Sequence, residues 1–433
     1  MNAIVDRVTG DILADLRRRS HRGMVVDSPP GAGKSTLVVR AVRETVADGD
    51  QRVVVAQTNS QVDDLIERLA AEDPGMKIGR LSSQQHSQLS DRLADCPNVV
   101  SRLKIGDLED CAVVIGTAAK WATIGEGTWS GAIIDEAYQM RSDMLLRVAN
   151  RFDHIMFVGD PGQLDPFATV DTDSWKGLAW DPSMSAVEVM LANNSGIPVH
   201  RLPVSWRLPA TAAPLVSAAF YPFNPFDAGT TAGQRRMTYS TRGLGKPIDK
   251  LLDIAAETGW GWYELPARHT LRTDREAMAA IAAIACRLLE RGTETHSERG
   301  TSTLTPDRIA IGVAHRDQTD AVRAALAGTI AAAVTVDTAN RLQGREYDVT
   351  VVLHPLSGRR DASAFHLEAG RLCVLASRHR HACIMVGRAG ISELLDAHPS
   401  AEPVHLGVAL KFPDGWEANQ RVLGELAECS VRA

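Results

Sequence analysis

The segment Ser28-Pro-Pro-Gly-Ala-Gly-Lys-Ser-Thr36 constrains this chain more than any other. It follows a short apolar run, Gly23-Met-Val-Val-Asp27, and precedes a stretch with helical spacing over 37–47, so it reads as strand, glycine-rich loop, helix. Glycines at 31 and 33 free backbone N–H groups to surround an anion, and the helix that starts there points its positive end at the same place. Lys34 is placed to reach the β- and γ-phosphates of a nucleotide, and Ser35 to hold Mg²⁺. Ser28 stands where such loops usually have their first glycine.

A loop of this kind belongs at the edge of a parallel sheet, and the rest of the chain supplies one. Short apolar strands are predicted at 53–56, 112–115, 132–134 and 155–158, with a helix over 62–69. Strands alternating with helices imply a parallel sheet covered on both faces. Residues 72–110 break the rhythm and read as a short, polar, helical insertion. After the turn Asn193-Asn-Ser-Gly196 the pattern restarts, with strands at 309–313, 349–353 and 382–386 and helices at 277–290 and 318–327. Segments 222–250 and 291–305 read as loops. A chain of 433 residues exceeds one hydrophobic core. Two α/β domains are expected, 1–197 and 198–433, the second with a C-terminal extension from about 400.

Asp135-Glu136 closes the predicted strand at 132–134, about one hundred residues after the phosphate loop. Asp135 suits orienting Mg²⁺ through water, and Glu136 suits positioning or deprotonating an attacking water. The six cysteines are scattered with no C-x-x-C pair, which argues against a zinc ribbon or a disulfide framework. His379, His381 and Cys383 alternate near Cys373 inside a predicted buried strand, so zinc is not expected there. No apolar run is long enough to cross a bilayer, and the N-terminal residues are acidic where a signal peptide is apolar; a cytoplasmic protein without membrane contact is expected. Net charge is −6, with 20 basic against 28 acidic residues in 1–197 and 27 against 25 thereafter. Nucleic acid could therefore be held only by a local groove, not by a generally basic surface.

Further motifs occur in order: Ala56-Gln-Thr-Asn-Ser-Gln-Val-Asp-Asp-Leu65, Gly116-Thr-Ala-Ala119, Ile134-Asp-Glu-Ala-Tyr-Gln139, Val158-Gly-Asp-Pro-Gly-Gln-Leu-Asp-Pro166, Ser205-Trp-Arg-Leu208, Ala314-His-Arg-Asp-Gln318, Thr338-Ala-Asn-Arg-Leu-Gln-Gly-Arg-Glu346 and Cys373-Val-Leu-Ala-Ser-Arg-His-Arg380. With the phosphate loop, this series resembles the superfamily 1B helicases of the nonsense-mediated-decay branch, over roughly 23–390. The resemblance implies two tandem RecA-like, AAA-type P-loop domains and ATP hydrolysis with Mg²⁺. Pro30, Gly31, Ala32, Gly33, Lys34, Ser35, Thr36, Trp206, Gly344 and Glu346 would bind the nucleotide, and Ser35 and Asp135 the metal. Glu136, Gln163, Arg207 and Arg378 would be catalytic, with Gln163 sensing the γ-phosphate and the arginines meeting it from the second domain. Thr58, Asn59, Thr117 and Thr338 would hold single-stranded DNA or RNA. The alternatives are a core role for Trp206, helix capping for the threonines and Asn59, and a structural ion pair for each arginine.

The implied activity is a helicase or translocase on single-stranded nucleic acid, 5′ to 3′, with a possible protein partner that loads or regulates it. The alternative is an ATP-switched remodelling or regulatory protein, phage- or defence-related, without strand separation. A small-molecule P-loop kinase does not account for the second-half motifs. The chain departs from the family in three places: its first glutamine is Gln51, Tyr138 stands where a small residue is common, and Ser-Arg-His-Arg replaces Thr-Arg-Ala. It also has no room for the barrel inserted in larger members.

Overall fold

A computed structural model describes residues 2–46, 49, 51–164, 166, 175, 178, 181, 182, 184–398 and 414–433. Asp165 and the start of the expected C-terminal extension, about 400, lie outside them.

The valine-rich runs form strands because β-branched side chains pack well on a pleated surface buried on both faces. Eight strands make one all-parallel sheet, in the order Val99–Arg102, Ile78–Leu81, Val113–Thr117, Arg52–Ala56, Ala132–Asp135, Ile155–Gly159, Gly23–Asp27, Val199–Arg201. The helices Asn2–Arg18, Lys34–Val46 and Asn59–Glu72 bury Ile12, Leu37 and Leu65 in the core on one face. An aromatic group, Trp121, Trp129 and Phe152, packs the other; the two tryptophans meet edge to face at 5.1 Å. The chain crosses to a second sheet after Arg201. That sheet has six parallel strands in the order Thr335–Thr338, Ile309–Val313, Tyr347–Leu353, His379–Arg388, Trp260–Leu265, Ser430–Arg432. Fold class thus agrees with expectation: two tandem α/β units with parallel sheets.

Two expectations are corrected. Residues 72–110 are not a helical insertion, since they contribute the strands Ile78–Leu81 and Val99–Arg102 to the far edge of the first sheet. Helix there is limited to Asp91–Ala94 and short 3₁₀ turns. Arg80 disguises the first strand, yet it is fully committed: Asp63 accepts from Nε at 2.8 Å and Ser82 from Nη1 at 2.6 Å. Segment 291–305 is a β-hairpin, Thr293–Ser297 with Gly300–Thr303, and its first strand also pairs antiparallel with Arg236–Tyr239, inside the other expected loop. Thr293 and Thr295 alternate inward, so the period of two is carried by threonines rather than by apolar residues.

The second core buries histidines. Burial holds His354 and His379 down to about 3, and His366 to about 4. All three stay neutral when folded, whereas the unfolded chain takes up protons below about 6.5. The unfolded state then binds more protons, so stability falls as pH drops from 6.5 toward 4. Thermal melting across that range should show this loss, and His354→Gln should flatten the slope by about 1.4 kcal/mol per pH unit. A pH-independent melting temperature between 6.5 and 4.5 would contradict it.

Candidate nucleotide-binding cleft

The strands Ala132–Asp135, Ile155–Gly159 and Gly23–Asp27 are neighbours in register, with Asp135 opposite Val158 and Asp27 opposite Gly159. Their C-terminal ends therefore finish level, and ligands of open parallel sheets sit at that edge. The loop 28–33 leaves from the last of the three and turns into the helix Lys34–Val46. Ser28 N–H donates to the Gly159 carbonyl at 2.8 Å, tying the loop to its neighbour.

Lys34 is paired with the Glu136 carboxylate. Burial opposes its charge, but Glu136, Asp135 and Asp160 together hold it above the ordinary lysine value. Glu136 has a left-handed backbone, φ 50°, which is rare outside glycine and costs on the order of 1 kcal/mol or more. That conformation ends the strand abruptly at the acidic pair. Asp135 is raised to about 6 by burial, with Lys34 opposing and Glu136 adding to the rise. Its Oδ1 is buried with no hydrogen-bond partner among the described residues. A buried, unpartnered carboxylate oxygen beside a hydroxyl-bearing phosphate loop suits a hard divalent cation. Tyr138 packs against Gly159, where a Cβ would lie 2.9 Å from its ring, and its hydroxyl donates to Asp27 Oδ1 at 2.7 Å.

Between loop and acidic pair lies the tip after Ile155–Gly159. Asp160 accepts from Gln163 Nε2 at 2.6 Å and from the Tyr221 hydroxyl at 2.7 Å. Gln163 is thereby oriented, and its Oε1 is left buried without a partner among the described residues.

The second half closes over the loop. Ser205 Oγ donates to the Pro30 carbonyl at 2.5 Å, and Trp206 N–H to the Gly31 carbonyl at 2.9 Å. Gly31 permits this approach: a Cβ there would lie 2.2 Å from Arg207 Cβ. The ring of the half-buried Trp206 rests on Gly229, where a Cβ would lie 2.3 Å from it. Arg207 donates from Nε to Glu346 Oε2 at 3.2 Å, and burial with Arg378 beside it lowers its pKa to about 10. Arg378 is 1% exposed, donates from Nη2 to Ser377 Oγ at 2.9 Å, and has no partner at Nε or Nη1 among the described residues. Trp206, Arg207, Glu346 and Arg378 from the second half and Pro30, Gly31, Ala32, Gly33, Lys34, Ser35, Thr36, Glu136 and Gln163 from the first, with Gly344, line one cavity of ≈ 670 Å³; Asp135 lies behind Glu136 and is not part of the lining.

Both halves of the chain match known families. A family described as AAA domain matches residues 11–175, and a second, also described as AAA domain, matches 184–390. Two AAA domain models in tandem thus match most of the chain, one in each half. DNA replication ATP-dependent helicase/nuclease DNA2 of Saccharomyces cerevisiae (strain ATCC 204508 / S288c) is 28% identical over 160 residues, covering 34% of this chain and 10% of that protein. Among solved structures, "The structure of PRRSV helicase" aligns with TM-score 0.45 and 16% identity over 87% of this chain and 54% of that one. "Crystal Structure of DUF1998 helicase MrfA bound to DNA" aligns with TM-score 0.47 and 11% identity over 90% and 47%. The chain thus spans about half the length of those two and a tenth of the curated relative.

The four residues expected to hold a strand, Thr58, Asn59, Thr117 and Thr338, do not line this cavity. Thr58 and Thr117 follow or end adjacent strands, since Ala56 and Thr117 are register partners. Each caps a helix, Thr58 accepting from Gln61 N–H and Thr117 from Lys120 N–H, both at 3.3 Å. Asn59 Oδ1 accepts from Arg80 Nη2 at 3.3 Å. Thr338 ends a strand of the second sheet and makes no side-chain cap. Sequence reasoning misses Arg68, Glu298, Arg299 and Arg380, all of which line the cavity. Only Arg380 carries a signal, as the second arginine of the 373–380 segment. In the described residues no helix is long and apolar enough to cross a membrane.

Trp206 gives the first site prediction. With its ring backed by Gly229 and facing the cavity, Trp206→Ala should raise the Michaelis constant for ATP roughly two- to tenfold, the worth of one aromatic stacking contact. Melting should change little. A destabilised protein with an unaltered constant would return Trp206 to a core role.

Proposed function

We propose that the chain hydrolyses ATP with Mg²⁺ in the cleft between its two sheets and uses the accompanying closure to move along single-stranded nucleic acid, 5′ to 3′. The observation that carries this is Arg378. A buried guanidinium with two nitrogens unpartnered among the described residues, facing the phosphate loop from the other half of the chain, is suited to the γ-phosphate and costly otherwise.

Pro30, Gly31, Ala32, Gly33 and Thr36 cradle the polyphosphate, and Lys34 moves from Glu136 onto the β- and γ-phosphates. That move frees Glu136 to orient the attacking water. Ser35 and Asp135 would hold Mg²⁺, whose charge would offset that of the phosphates. Gln163, fixed by Asp160, reports the γ-phosphate, while Gly344 and Glu346 close the second-half wall. Arg207 and Arg378 stabilise the metaphosphate-like transition state only when both halves meet. Residues 1–197 and 198–433 act as the two moving bodies. Thr58, Asn59, Thr117 and Thr338, at strand ends on both sheets, supply contacts to the strand's phosphates through hydroxyl, amide and backbone N–H groups. The partial similarity to a DNA replication ATP-dependent helicase/nuclease supports a nucleic-acid partner; a cytoplasmic setting and a loading or regulating protein complete the reading.

The test is phosphate release with and without single-stranded DNA and RNA. Several-fold stimulation by one of them is expected, with Lys34→Ala silent throughout. Turnover indifferent to both would favour the ATP-switched regulatory reading, and absence of turnover would sink both.

A further inference from the structure

The hairpin Thr293–Ser297 and Gly300–Thr303 has no place in the scheme so far, yet its tip, Glu298 and Arg299, lines the nucleotide cavity. The Glu298 carboxylate accepts from Arg235 twice, Nε to Oε2 at 3.1 Å and Nη2 to Oε1 at 2.8 Å. It also accepts from Arg380 Nη2 at 3.1 Å. The Arg235 side chain is 2% exposed and donates onward to the backbone carbonyls of Trp206, at 2.6 Å, and Arg207. Arg380 donates onward to Glu346 Oε1 at 3.0 Å, and Glu346 Oε2 accepts from Arg207 Nε. One carboxylate therefore reaches Arg207 by two routes, through its backbone and through its guanidinium. Arg299, on the same turn, is exposed; its backbone N–H donates to Ser297 Oγ at 3.2 Å, and its guanidinium has no partner among the described residues.

We propose that this hairpin tip belongs to the nucleotide site: Glu298 is a positioning residue that sets the Trp206–Arg207 pair through Arg235, Arg380 and Glu346, and Arg299 adds a guanidinium that meets the nucleotide. Without Glu298, the buried Arg235 and Arg380 lose their shared counter-charge and must relax, and the pair they hold moves with them. Displacement of a catalytic group by about 1 Å can cost on the order of a hundredfold in rate. A hairpin fastened by an ordinary surface ion pair would give no such effect.

The inference rests on the proposed hydrolysis of ATP, so Lys34→Ala is run beside it on the full chain. Glu298→Ala should lower kcat/KM for ATP by roughly ten- to a hundredfold, in both kcat and KM, because Arg207 and Trp206 are both released. Glu298→Gln, which keeps the shape and one acceptor, should lose less, and Arg299→Ala should raise KM alone. Thr303→Ala, on the same hairpin at the end far from the tip, should match the parent. Parental kcat and KM in Glu298→Ala, whatever its melting temperature, would overturn the proposal while Lys34-dependent turnover kept the hydrolytic reading intact. A parent with no Lys34-dependent turnover would overturn both.

Discussion

Glu136→Gln is expected to bind ATP with near-parental affinity and to lose turnover by about a hundred- to ten-thousandfold, the usual worth of a positioned general base. The amide keeps the side chain's size at a strained backbone position, φ 50°, so the fold should survive. It removes the negative charge that now pairs with Lys34. Lys34 then loses a competitor for the phosphates, and binding should be held or slightly tightened. Lys34→Ala should fail at both stages, because it removes the ammonium of the cradle and leaves Asp135, Glu136 and Asp160 facing the incoming phosphates unopposed by it. Calorimetric ATP binding and steady-state phosphate release separate the two variants. Near-parental turnover in either would place the chemistry elsewhere.

The second large effect belongs to the arginines of the other half. Arg207→Ala and Arg378→Ala should each lower kcat by about a thousandfold, with ADP affinity nearly unchanged, since ADP lacks the group they meet. The two need not behave alike in stability. Arg207 is engaged with Glu346 and the Ser377 carbonyl, so its removal unpairs a network. Arg378 has a bond to Ser377 Oγ and two nitrogens unpartnered among the described residues, so its loss should leave melting unchanged or raised. Lysine should rescue neither, because it lacks the planar fork. A variant that loses ADP affinity in step with turnover would mark its arginine as structural.

Much of the cleft is legible in the amino-acid sequence. The phosphate loop, the acidic pair at a strand end and the Trp206-Arg207 dipeptide are short local patterns whose spacing reflects one local geometry. Arg378 is legible for the same reason, although its neighbours depart from the family. Glu298 is not legible. It sits in a Thr/Ser/His/Glu/Arg segment with no apolar alternation, and its meaning comes from Arg235, 63 residues away. The two strands at the far end of the first sheet, Ile78–Leu81 and the edge strand Val99–Arg102, stay hidden for a related reason: four residues each, with Arg80 or Arg102 among them, are too short to display a period, and neighbours supply the pairing. The threonines illustrate the reverse case. Thr58 and Thr117, proposed as contacts to a nucleic-acid strand, cap helices in the fold, and one hydroxyl at a strand end can serve both uses in turn.

The central claim is a nucleotide gripped from both sheets at once. A crystal structure with ADP, Mg²⁺ and a planar aluminium fluoride in the γ-phosphate position tests it most directly. The account predicts Lys34 detached from Glu136 and bonded to the fluoride group, with Gln163 and the guanidinium groups of both Arg207 and Arg378 in hydrogen-bond contact with it. A closed complex in which the phosphate loop alone holds the mimic, with neither arginine touching it, would contradict the account.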